Sequence, residues 1–182
     1  LRVHNASQDD PAGRVTFCGL DLYSLFTSRD AVLTYLDRVD PDAADLARRR
    51  YTCLNPWQHD PAAYGRAVVS GRFAGCEEGV VATLTDLLHQ RVGYAAASAD
   101  DYLDAAQNAT VVANAERYYR VMYHGSRESW NLRDQHMFET LKYVRGHHGP
   151  NTKVVVWEHN SHVGDASATE MGARGEHNVG ML

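Results

Sequence analysis

Hydrophobic residues recur three and four positions apart over much of the chain, a spacing that predicts amphipathic helices. Val32, Leu33 and Leu36 form one such stripe after Ser28, a residue type that often caps a helix N-terminus. The same pattern predicts further helices over 41–50, 77–92, 99–123 and 128–149. Most of the chain between residues 26 and 149 is therefore predicted to be helical.

Several predicted boundaries depend on residues with a specific role at helix ends. Pro41 suits the first position of a helix, where its missing N–H is not needed. Ser98 and Asp101 have the spacing of a capping box and predict the start of a long alanine-rich helix. The pairs Asn55-Pro56 and Asp60-Pro61 predict loops instead.

Two short apolar runs have the composition of buried β-strands. One covers residues 14–21 and includes Val15 and Phe17, and the other covers residues 153–158. Two strands cannot make a sheet that is buried on both faces. We therefore predict an α/β fold, in which a mostly helical segment carries a few parallel strands and a helical excursion (26–149) lies between them.

The chain is predicted to be one domain over residues 1–182, and to be part of a larger one. It begins with Leu1 rather than methionine and ends in an apolar pair, so we expect the missing strands to lie outside it.

Composition excludes several classes of protein. Of the 182 residues, 44% are hydrophobic and 23% are charged, as in a globular domain. No apolar stretch approaches the roughly 18 residues of a membrane span, and a net charge of −5 is unsuited to binding nucleic acid. Cys18, Cys53 and Cys76 have no CxxC spacing, so we expect reduced thiols and a cytoplasmic location. The oligomeric state stays open.

Ionisable residues follow both predicted strands. Asp21 ends the first, and His159 and His162 follow the second. Because ligands collect at the carboxyl ends of strands in open α/β sheets, these three side chains are candidates for one site. The histidines could bind a metal, although a catalytic zinc needs about three protein ligands. Alternatively, they could exchange protons with a water that attacks an acyl group.

The helix that contains "SWNLRDQHM" has a second unusual feature, a carboxylate within its apolar stripe. Asp134 lies four residues after Trp130 and three before Met137. In one interpretation Asn131 caps the helix and Asp134 is its capping partner. In the other, Asn131, Arg133 and Asp134 orient the histidines or bind substrate.

Three blocks of sequence resemble the erythromycin esterase family. They are CGLDLYSL at 18–25, SWNLRDQHMFETL at 129–141 and VVVWEHNSHVGDA at 154–166. The resemblance extends from about His4 to Leu182, and the order of the blocks is specific. It implies hydrolysis of a carboxylic ester such as a macrolide lactone, by activated water and without a metal, a cofactor or a covalent nucleophile. That activity would give resistance to macrolide antibiotics.

The resemblance also implies roles for individual residues. His159 and His162 match the histidines of the family's Trp-x-His-Asn-x-His motif, which lie in its active-site cleft. Trp157 and Asn160 belong to the same motif and are given supporting roles. The Trp-Asn-x-Arg-Asp helix of the family matches Asn131, Arg133 and Asp134, and these residues, with Asp21, are also assigned to support or substrate binding.

Two departures from the family pattern affect the expected chemistry. Glu158 replaces a small residue, and the family's Gly-Glu-x-x-His motif, which holds its general base, does not occur in the chain. We therefore expect this segment alone not to hydrolyse esters. Two alternatives stay open: a metal- or ligand-binding module that uses His159 and His162 without turnover, and a helical interaction domain with structural histidines.

Overall fold

The computed structural model describes residues 1–10 and 13–182, and every regular element within them is helical. Short 3₁₀ helices cover Thr52–Trp57 and Ala166–Ala168. Over the same described residues, ten α-helices follow in chain order: α1 Arg2–Ala6, α2 Leu25–Val39, α3 Pro41–Tyr51, α4 Pro61–Val69, α5 Glu77–His89, α6 Arg91–Ala97, α7 Ala99–Val121, α8 Ser126–His148, α9 Asn160–Val163 and α10 Glu170–Ala173.

Helix α7 lies at the centre, and α2, α4, α5, α6 and α8 all pack against it. Its buried positions include Ala105, Ala106 and Ala109, whose small side chains let neighbouring helices approach closely. Tyr102 and Val112 fill the space between the approaching helices. A helix that buries residues on several sides has no solvent face to mark it, which is why its apolar stripe is weak in the sequence.

The predicted helix starts at Pro41 and after Ser98 are confirmed, whereas Ser28 is not a cap: α2 begins at Leu25 and Ser28 is buried within it. Asp40 accepts a hydrogen bond from the Ala43 N–H at 3.0 Å, directly before Pro41. Ser98 accepts from the Asp101 N–H at 3.2 Å and so begins α7. The Asp101 carboxylate does not complete a capping box, because it forms an ion pair with Arg38 at 2.7 Å.

Helix α4 contradicts the prediction of a loop at Asp60-Pro61. Asp60 caps it by accepting from the Ala63 N–H at 3.0 Å, and Pro61 occupies the first turn. The pair has the same capping geometry as Asp40-Pro41. Tyr64 of this helix is buried against α7, which supplies the packing that makes the short helix stable.

The predicted α/β fold with parallel strands is wrong, since the described residues form no strand and no sheet. Phe17, in the first predicted strand (14–21), is 86% exposed. In the second (153–158), Val155 and Trp157 are 91% and 95% exposed. A strand requires a neighbour that bonds its backbone N–H and C=O groups. Neither segment has such a neighbour among the described residues, so apolar composition alone does not make a strand here.

The expectation of three reduced thiols is also wrong. Cys53 and Cys76 form a disulfide that joins the 3₁₀ helix after α3 to the N-cap of α5, whereas Cys18 is free and exposed. In the described part of the chain, no helix is long and apolar enough to span a bilayer.

Candidate active site

One face of α8 buries polar side chains where the sequence predicts an apolar stripe. Asp134 is 0% exposed, and His136 and Thr140 are almost as well buried. Among the predicted core residues of this helix, Met137 is fully buried, whereas Trp130 is only partly so. Buried polar groups need partners, and those of Asp134 and its neighbours come from segments far away in sequence.

The central contact joins Asp134 to His162. His162 Nδ1 lies 2.9 Å from Asp134 Oδ1, and the same oxygen accepts the Val179 N–H at 3.2 Å. Because this carboxylate oxygen is an acceptor, Nδ1 carries the proton and donates it. The other ring nitrogen, Nε2, makes no hydrogen bond within the described residues and is left with its lone pair.

Burial shapes the charge of this pair. Removal from water raises the pKa of Asp134, while the hydrogen bond from His162, and its charge when the ring is protonated, act in the opposite direction. Asp134 Oδ2 is buried without a partner, so Oδ1 alone makes the hydrogen bonds of the carboxyl group. The ionised form of Asp134 is therefore stabilised mainly by the hydrogen bond from His162, which offsets part of the cost of burying the charge.

The imidazole ring of His162 is held flat against Trp130. The two ring centroids are 4.6 Å apart and the planes differ by 4°. Trp130 is itself fixed by a hydrogen bond of 2.8 Å from its indole N–H to the His177 carbonyl. Together with Asp134, this stacking fixes the orientation of the imidazole ring.

The segment 175–182 connects α9 to α8 through hydrogen bonds to both helices. Asn131 donates to the Gly175 carbonyl at 3.0 Å and accepts from the His177 N–H at 3.0 Å. The Gly180 N–H donates to the His162 carbonyl at 2.9 Å. Asn131 is the sixth residue of α8 and does not precede its start, so the interpretation of Asn131 as N-cap is wrong.

A second charged pair lies next to this one. Arg133 donates from Nε and Nη2 to the two carboxylate oxygens of Asp21, at 2.9 and 2.7 Å. Burial would raise the pKa of Asp21, but the bonds from Arg133 and the Leu22 N–H hold it below its usual range. The guanidinium also lies over the Tyr23 ring, 4.7 Å from its centroid.

Glu158 belongs to the same cluster. Its Oε2 atom is buried and has no hydrogen-bond partner. Burial raises the pKa of Glu158; the charges of His162 and Arg133 lower it, and those of Asp134 and Asp21 raise it further. Residues 155, 157 and 159 are exposed, and residues 156 and 158 are partly buried. This alternation turns Glu158 towards the protein interior.

His136 is a third buried ionisable group on α8. Asn114 of α7 lies 2.9 Å from its Nδ1, and its Nε2 is buried without a partner. Burial lowers the pKa of His136 to about 4, and the charge of Asp21 offsets this only in part. The ring is therefore neutral at physiological pH.

The remaining predicted site residues lie at the edge of this cluster or outside it. His159 is exposed and caps α9, with Ser161 Oγ and N–H at 2.9 and 3.3 Å from its Nδ1. Asn160 is exposed and lines a cavity beside α10. Trp157 is almost fully exposed. The structure thus brings together Asp21, Arg133, Asp134 and His162, and separates them from these three residues.

Sequence reasoning gave Glu158 no catalytic role, weighing it only as a possible third metal ligand, and treated Trp130 as a core residue. The position of Trp130, four residues before Asp134 on a helix, was a usable signal, since such residues share a face. The bond from the Val179 N–H to Asp134 had no comparable signal, because nothing local marks a contact across 45 residues.

Among the described residues, no group of three or more His, Cys, Asp or Glu side chains is arranged to hold a metal ion.

A helical fold that holds a buried aspartate on a histidine, beside an arginine, has the groups needed for acid–base chemistry. The family model of erythromycin esterase matches residues 1–182, the whole chain, and the chain therefore belongs to the erythromycin esterase family. This membership makes it a hydrolase of that family. No solved structure matches the chain significantly.

Proposed function

We propose that this protein hydrolyses carboxylic esters, including lactones such as those of macrolides, by direct attack of water. The observation that carries the proposal is the 2.9 Å contact between Asp134 and the Nδ1 of His162, which leaves Nε2 with a lone pair. Family membership supports the reaction class. We further propose that the reaction needs neither a metal nor a cofactor, and that it protects cells from macrolides.

The sequence lacks the family's Gly-Glu-x-x-His motif, and for that reason we expected no activity of this segment alone. The proposal departs from that expectation by making His162 the base. Nε2 of His162 removes a proton from water as the water oxygen attacks the carbonyl carbon. Asp134 holds the ring in the required tautomer and stabilises the imidazolium that forms. The neutral ring is the form that accepts a proton. A base placed in this way contributes roughly 10²–10⁴-fold to the rate.

Arg133 is the proposed donor to the oxyanion. Two of its nitrogens bind Asp21, whereas Nη1 makes no hydrogen bond within the described residues. Because Asp21 fixes the guanidinium, Nη1 is oriented before substrate binds, and such preorganised donors stabilise developing negative charge.

His159 has a different proposed role. Its exposed ring lies at the N-terminus of α9, so it is suited to contacting substrate rather than to exchanging the proton. Asn160 and Trp157 have equally exposed positions in the same loop.

The test compares His162→Ala and His159→Ala with the wild-type protein on erythromycin and on p-nitrophenyl butyrate. We expect His162→Ala to lower kcat by on the order of 10²–10⁴-fold, and His159→Ala to raise KM more than it lowers kcat. Opening of the lactone is measured by mass spectrometry as addition of one water. Wild-type kcat in His162→Ala would contradict the mechanism.

A second measurement tests metal independence. Activity should survive dialysis against a chelator, and metal analysis should find no stoichiometric metal. Stoichiometric zinc or iron that is required for turnover would instead support the metal-binding alternative.

A further inference from the structure

Glu158 is a member of the cluster that the proposed reaction does not use, and its geometry is unusual for a glutamate. Carboxylates are seldom buried unless they are paired. Oε2 of Glu158 is nonetheless buried without a hydrogen-bond donor. A structural role would normally supply a partner, so this oxygen calls for a different explanation.

The groups around Glu158 come from every segment of the site. Arg133 of α8 interacts with it as a cation, as does His162 of α9 when its ring is protonated, and Asp134 of α8 and Asp21 before α2 interact with it as anions. Arg133 is committed to Asp21 and His162 to Asp134, so neither cation is bonded to Glu158. Glu158 therefore lies among charged side chains, but neither nearby cation forms an ion pair with it.

We propose that Glu158 is the proton donor to the leaving alcohol of the ester, and so a second catalytic residue beside His162. The proposal rests on the proposed function. With His162 as the base and Glu158 as the acid, two ionisable groups in different environments can act in one reaction at the same pH.

The proton balance closes without any further reactant. His162 takes a proton from water as the water oxygen bonds to the carbonyl carbon. When the bond from carbon to the leaving oxygen breaks, that oxygen takes the Glu158 proton and departs as an alcohol. The proton on His162 then passes to the Glu158 carboxylate, which restores both residues. Burial, which favours the neutral carboxyl group, supports this assignment.

The leaving group provides the test. A p-nitrophenolate leaves without protonation, whereas the alkoxide of an alkyl ester needs a proton. We therefore measure wild type, Glu158→Gln and Glu158→Asp on p-nitrophenyl butyrate and on ethyl butyrate. For Glu158→Gln we expect a loss of kcat of on the order of 10²-fold on the alkyl ester, and only a few-fold loss on the activated ester. Glu158→Asp, which keeps an acid, should recover part of the alkyl-ester rate.

A pH profile adds a readout that a purely structural role would not change. The alkaline limb of kcat on ethyl butyrate should be lost in Glu158→Gln, because that limb reports the ionisation of the acid. Glu78→Gln, at an exposed position in α5, is the matched control and should behave as wild type. Thermal melting checks that each variant is folded.

The outcomes separate the two proposals. If the wild type hydrolyses both esters and Glu158→Gln either keeps the alkyl-ester rate or loses both rates equally, Glu158 is not the acid, and the proposed function stands. If the folded wild type hydrolyses neither ester nor erythromycin, the proposed function fails and the role of Glu158 fails with it.

Discussion

At the scale of single residues, Asp134 is completely buried, and one of its carboxylate oxygens, Oδ2, has no hydrogen-bond partner. Burial raises its pKa, so the folded protein gains nothing from the negative charge itself. What the carboxylate supplies is a fixed acceptor for His162 Nδ1 at 2.9 Å. We predict that Asp134→Asn lowers kcat by on the order of 10²–10⁴-fold while the free energy of unfolding falls by less than about 1 kcal/mol. Steady-state kinetics and urea denaturation measure the two quantities.

Ser98→Ala is the control for that prediction, since Ser98 caps α7 and lies outside the site. It should lower the free energy of unfolding by about 1 kcal/mol and leave kcat unchanged. If Asp134→Asn showed this same pattern, Asp134 would be a structural residue.

His136 gives the protein a predicted sensitivity to acid. Burial lowers the pKa of its ring from 6.5 to about 4 in the folded state. As the pH falls below about 6.5, the unfolded chain binds a proton that the folded protein does not bind, so stability is lost down to about pH 4. Between about pH 7 and about pH 4.5 this one group should remove roughly 2–3 kcal/mol.

The replacement His136→Gln removes the titration, so we predict that the stability lost over this pH interval becomes smaller by that amount. Urea denaturation at the two pH values measures it. His89→Gln, on the surface of α5, is the control and should keep the wild-type loss. An unchanged pH dependence in His136→Gln would mean that the ring is charged in the folded protein.

The sequence identified most of the residues in the cluster but not the contacts among them. Asp134 was recognisable because a carboxylate in an apolar stripe is costly, and this argument holds without knowledge of the fold. Its partner was not deducible, since His159 and His162 are equivalent in the sequence. The four residues of α9 decide between them by burying His162 and exposing His159.

At the scale of elements, local signals predicted helices well and strands badly. Helix α8 extends over Ser126–His148, close to the predicted 128–149. A helix forms its backbone hydrogen bonds within one segment, so its apolar stripe and its capping residues can be recognised from that segment alone. A strand depends on a partner elsewhere in the chain, and the apolar runs at 14–21 and 153–158 contain no information on whether that partner is present.

The segment 175–182 is the element that positions His162 against α8. A methyl group on Gly180 would lie 2.3 Å from the Val163 carbonyl oxygen, a backbone atom that cannot move aside independently. We predict that Gly180→Ala displaces this segment, increases hydrogen exchange over 160–182 but not in α7, and lowers kcat by on the order of 10²-fold. Hydrogen exchange with mass spectrometry and kinetics test this.

Gly146→Ala is the matched control for Gly180→Ala. Gly146 lies within α8, and a methyl group there would meet nothing within 4 Å. Since alanine favours helix over glycine, this change should raise stability by about 0.5–1 kcal/mol and leave exchange over 160–182 as in wild type. Equal exchange in the two variants would exclude a positioning role for Gly180.

At the scale of the whole molecule, the site is assembled from segments that are distant in sequence. Asp21 precedes α2, Arg133 and Asp134 lie on α8, and Glu158 and His162 flank the start of α9. Contacts such as Asp21–Arg133 span 112 residues. The helices packed around α7 fix these separations, so the stability of that core and the geometry of the site are linked.

The disulfide between Cys53 and Cys76 is the covalent part of that core. It closes a loop over a sequence separation of 23, and α4 lies within that loop. Because a closed loop restricts the unfolded chain, we predict that reduction lowers the free energy of unfolding by about 3 kcal/mol. Urea denaturation with and without a phosphine reductant measures this in a Cys18→Ser background, which removes the exposed free thiol. A Cys53→Ser, Cys76→Ser variant should match the reduced protein and show no change in stability when reductant is added.

The site residues lie on other segments than the disulfide, so kcat of the reduced protein should stay within a few-fold of the oxidised value at temperatures where both are folded. Equal free energies of unfolding for the oxidised and reduced protein would contradict the stability prediction and show that the disulfide adds no stability.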